Sequence, residues 1–159
     1  MNTRDFEKRI WFEIFNRVCS IMCKYLKNVN DWPRVKLLIA EVIADVIGKY
    51  FKTIEYIGVT ELSGGEYVSD YEGGFDIDML FKVSSEAEAY ALKMLEPLID
   101  NAIKEAVTYM KDREFFRQMS RKYGKGISHN VVEFHVNDDY VDVLMKSKQS
   151  LTTTLYRRT

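Results

Sequence analysis

The chain has 159 residues, 47% hydrophobic and 30% charged, with a net charge of -1. That is enough chain for one domain with a real core, and the near-neutral balance excludes a global basic field, so any nucleic-acid contact has to come from a local patch. No apolar run reaches membrane-spanning length and the N-terminus mixes acids and bases from its start, which predicts a cytoplasmic protein with no membrane contact.

In chain order, a first helix is predicted from about Thr3 to Lys27, on a stripe of Trp11, Ile14, Phe15, Val18, Met22, Tyr25 and Leu26. Cys19 and Cys23 share one face of it, without the further Cys or His that a zinc site needs, and read as free thiols. The segment NVNDWP breaks the helix, and Asn and Asp ahead of Pro33 start a second one carrying Val35, Leu38, Ile39, Val42, Val46 and Tyr50. EYIGVTEL reads as a strand leading into SGGEY, and FDIDMLFKV as a second strand. Ser85 and Glu88 form a capping-box pattern that opens a long helical region, kinked or restarted at Pro97 and ended by RKYGKG. VVEFHV and YVDVLM then read as a hairpin around an Asn/Asp turn, and LTTTLYR has strand character. The order is that of an α+β domain over 1–159, with N-terminal helices (1–52) and a core (53–159) whose mixed sheet is covered by helices on one face.

Side chains alternate along a strand, so Phe75, Ile77, Met79, Phe81 and Val83 share an apolar face while Asp76, Asp78, Leu80 and Lys82 share the other. Two carboxylates at i and i+2 sit about 7 Å apart along the backbone, and their tips can converge on a divalent ion. In the hairpin, Glu133, His135, Asp142 and Leu144 fall on the face opposite the apolar one, which makes Asp142 the expected third carboxylate. Glu133 reads first as a wet-face residue and His135 as structural. Gly64 and Gly65 allow close approach of backbone N–H groups to an anion. Gly73-Gly74 reads as the turn or bulge entering the strand. Arg121-Lys122-Tyr123-Gly124-Lys125 and Arg157-Arg158 read as surface features before phosphate contacts.

Ser63-Gly64-Gly65, Asp76-Ile77-Asp78 and Val141-Asp142-Val143 together resemble the nucleotidyltransferase superfamily with the DNA polymerase beta-like palm. The wording is nearest to the cyclic GMP-AMP synthase, Mab-21 and archaeal CCA-adding branches, over residues 54 to 145. The resemblance implies a minimal fold of that kind without a C-terminal helical domain. It implies a nucleotidyl group moved from an NTP to a hydroxyl acceptor (RNA, protein or small molecule), with release of pyrophosphate. Asp76, Asp78 and Asp142 would hold Mg²⁺ (or Mn²⁺), Asp142 would assist the nucleophile, and Ser63, Gly64 and Gly65 would cradle the phosphates. Phe75 stands where many members carry Ser. A non-catalytic module binding nucleotide, nucleic acid or protein on the same fold is the alternative. The short core leaves room for a homodimer or a helper protein.

Overall fold

A computed structural model describes residues 3–60, 74–126 and 128–145. Ser63, Gly64, Gly65, Gly73, Arg157, Arg158 and the LTTTLYR segment lie outside the described residues.

The first helix, α1 (Thr3–Tyr25), buries Ile10, Ile14, Val18 and Met22, one per turn, and Leu26 just beyond its end. Tyr25 is not in that stripe: it is exposed, and the Arg34 guanidinium lies 5.2 Å from its ring centre. The break is a capped turn. Asn28 accepts from the Asn30 amide, and Asp31 accepts from the Lys27 and Asn28 amides. Pro33 then sits in the first turn of α2 (Trp32–Tyr50), where its missing N–H costs nothing. Val35, Ile39, Val42, Ile43, Val46 and Ile47 face the core, and so does a charged residue, Lys36.

Strands β1 (Glu55–Thr60) and β2 (Ile77–Lys82) pair antiparallel, with a bulge between Tyr56 and Gly58. Ser85 accepts from the Glu88 amide and starts α3 (Glu86–Met110), which runs on through Pro97 without ending there. The helical region divides later instead, at Lys111. Asp112 caps a separate helix, α4 (Arg113–Tyr123), by accepting from the Phe115 amide.

Strand β3 (Val132–Val136) pairs parallel to β2, giving a mixed sheet in the order β1-β2-β3. The predicted hairpin is not formed. A single 3₁₀ turn over Asp138–Tyr140 leads into a short helix, α5 (Val141–Leu144). Val141 and Leu144 are buried at helical spacing, so the apolar pattern taken for strand alternation is satisfied by one helical turn.

Among the described residues the architecture is therefore α+β: five helices and a three-stranded mixed sheet. Phe75, Ile77, Met79, Phe81 and Val83 are all buried, together with Val132, Phe134 and Val136. The outer edge of β3 is closed by α3. Asp100 Oδ1 accepts from the amides of Val131 (2.6 Å) and Val132 (3.1 Å), and Glu96 Oε2 accepts from that of Phe134 (2.7 Å). Two buried carboxylates thus take donors that a fourth strand would otherwise satisfy. No helix among the described residues is long and apolar enough to cross a membrane.

Candidate metal centre at the start of β2

The chain entering β2 is fixed from α2. Trp32 Nε1 donates to the Phe75 carbonyl (3.0 Å), and its ring stacks on that of Phe75. Lys36, 1% exposed, sends its ammonium to the carbonyls of Gly74 (2.6 Å) and Asp76 (3.3 Å). A buried ammonium is tolerated only when its protons find acceptors, and here it finds carbonyls on the backbone that carries the acids. Asp76 is thereby positioned one residue before the strand, and its Oδ2 pairs with Lys125 Nζ at 3.2 Å.

Parallel register then sets Glu133 directly opposite Asp78 and His135 opposite Leu80. Neighbouring strands lie about 4.8 Å apart, so side chains on the same face at these positions meet. The His135 Nε2 atom lies 3.1 Å from Asp78 Oδ1, and the imidazole is 3% exposed. One ligand atom each from Asp78, Glu133 and His135 falls within 4.8 Å of the others.

Burial raises the Glu133 carboxyl above the usual range, and the Asp78 charge adds to this; Asp76 and Glu96 push the same way and His135 pulls back. Burial also raises Asp76, against the pull of Lys125 and with a push from Asp78. The cluster is thus one of mutually repelling, partly desolvated acids, a combination that a divalent cation relieves. Two carboxylate oxygens and an imidazole nitrogen are a suitable donor set for Mn²⁺ and similar first-row ions; Mg²⁺ is usually held through oxygen alone.

The structure brings Asp76 and Asp78 to this point but not Asp142 by the expected route. Asp142 is exposed on α5, beyond the opposite end of β3, and shares no strand face with Asp78. The acid beside Asp78 is Glu133. Its signal was present in VEFHV, where Glu and His alternate with apolar residues as the acids of FDIDM do. What identifies it is the pairing partner: β3 runs parallel to β2 in a register that sets Glu133 against Asp78 and aligns the two polar faces.

Comparison of the chain with protein-family models, with curated proteins and with solved structures finds no match in any of the three.

Proposed function

We propose that the protein is a metal-dependent nucleotidyltransferase of polymerase beta-like palm architecture, with Asp76, Asp78 and Glu133 as its acids. The observation that carries this reading is the register pair Asp78–Glu133, with His135 and Asp76 beside it. Thr60, the last residue of β1, pairs with Asp78, so β1 ends beside the acids.

A bound divalent ion would neutralise the triphosphate and the charge that develops as pyrophosphate leaves. The chain's own residues do the rest. Asp78, Glu133 and His135 would hold the ion, and the nitrogen ligand favours Mn²⁺ over Mg²⁺. Glu133, directly opposite Asp78 and beside the ion, is the acid placed to take the proton of the attacking hydroxyl as the new P–O bond forms. Lys36 and Trp32 keep Asp76 in place through its backbone.

The test is thermal unfolding with ATP, GTP, CTP and UTP, each with and without Mn²⁺ or Mg²⁺, beside Asp78→Asn and Glu133→Gln. A metal-dependent rise lost in both variants, followed by pyrophosphate release on adding acceptors, is expected. Binding without turnover on RNA, protein or small-molecule hydroxyls would make this a nucleotide-binding module. No shift with any pair would refute the assignment.

A further inference from the structure

Two lysines approach Asp76, and they do so differently. Lys36 is buried and tied to main-chain carbonyls. Lys125 is 50% exposed and bonds the carboxylate itself. Its position is built into the backbone. Gly124 ends α4 in the left-handed region (φ 76°), with its amide donating to the Ser120 carbonyl at 2.9 Å. On the other side, a Cβ at Gly126 would stand 2.4 Å from Ser120 Oγ, so the turn closes tightly against the last turn of α4. The His129 amide then donates to the Gly126 carbonyl at 2.9 Å. The Gly-Lys-Gly sequence thus folds back and delivers one flexible, half-exposed ammonium to the mouth of an acidic cluster.

Resting on the assignment above, we propose that Lys125 is an exchangeable counter-ion: it neutralises Asp76 until a divalent metal arrives, then passes to the phosphate chain that the metal brings. A divalent ion held by Asp78, Glu133 and His135 would put positive charge beside Asp76, which already feels the Asp78 carboxylate, so the ion and Lys125 compete to neutralise the same charge. With the ion beside Asp76 the ammonium is repelled and its hold on that carboxylate weakens, and a phosphate brought by the ion is the replacement anion. Recognition of this kind is blind to the base and takes any polyphosphate.

Lys125→Met separates the two halves of this cycle because it should move two affinities in opposite directions. Mn²⁺ alone, titrated calorimetrically, should bind several-fold more tightly to the variant than to the wild type. Inorganic tripolyphosphate titrated in saturating Mn²⁺ should bind about tenfold more weakly, the loss of one charge-assisted hydrogen bond. Lys125→Arg should restore tripolyphosphate binding. The unfolding midpoint without ligand checks that both variants fold. Wild type that binds Mn²⁺ and nucleotide while Lys125→Met alters neither affinity, or weakens both, would overturn the exchange and leave the nucleotidyltransferase assignment standing. Wild type that binds no Mn²⁺ at all overturns both.

Discussion

Glu133→Gln should stabilise the metal-free protein at neutral pH. The side chain faces Asp78 across a parallel pair, and their ligand atoms lie within 4.8 Å. Two like charges at that distance in an effective dielectric of about 20 repel by roughly 3.5 kcal/mol, and partial exposure of both groups reduces this to about 1–2 kcal/mol. The pH dependence follows from linkage. The folded carboxyl holds its proton more tightly than the unfolded one does, so the wild type carries no penalty below the ordinary carboxylate range. Its stability then falls as pH rises from the unfolded value through the raised folded one, and stays lower above it. The glutamine variant lacks that fall. In a chain of 159 residues the gain amounts to about 2–8 °C in unfolding midpoint. Urea or thermal unfolding between pH 4 and 8, with chelator, should show the two proteins converging in acid and separating as pH rises. Saturating Mn²⁺ should reverse the order, since only the wild type gains stability by mass action, about 2.7 kcal/mol at a hundredfold excess over Kd. A variant less stable than the wild type at pH 8 in chelator would refute the repulsion and make Glu133 a structural acceptor.

Three further expectations concern the scaffold. Lys36→Met removes the bonds to the Gly74 and Asp76 carbonyls and should cost about 1–2 kcal/mol in urea unfolding; a gain would mean that desolvating the ammonium outweighs them. Asp100→Ala strands the amides of Val131 and Val132 and should cost about 2–4 kcal/mol, with Asp100→Asn recovering part of it; equal stability of the alanine variant would show that water takes over both donors. Gly124→Ala places a side chain in the left-handed region and should cost about 1 kcal/mol, more than Gly126→Ala, whose neighbour Ser120 Oγ can rotate away; the reverse order in thermal unfolding would refute this account of the turn.

Much of the scaffold was legible because local pattern and tertiary environment agree there. Ile14, Val18, Met22 and Leu26 recur at four-residue spacing and are buried at that spacing. In β2, strict alternation separates Ile77, Met79 and Phe81 from Asp78 and Leu80, and burial follows it. The division of α3 from α4 was readable from Asp112, whose side chain competes for backbone donors, but the long apolar stripe obscured it. The hairpin misled because Val141, Val143 and Met145 fit a period of two, while Val141 and Leu144 fit a helical turn equally well. Four residues do not decide between the periods; packing does. Asp142 was placed at the centre through that error, and Glu133 was passed over because a lone strand does not reveal its partner. The glycine pair at Gly64 and Gly65 falls outside the described residues and neither supports nor weakens the site.

The closure of β3 by Glu96 and Asp100 has a consequence for how the chain is made. An open strand edge is a template on which other polypeptides can add, and the danger is greatest while a protein is only partly formed. In this chain the two blocking carboxylates, Glu96 and Asp100, lie 36 and 32 residues ahead of Val132, on α3. During synthesis the guard therefore leaves the ribosome before the strand it protects. The acids that take the outer amides of β3 are therefore made before the strand that needs them, and among the described residues β3 is the closed edge of the sheet.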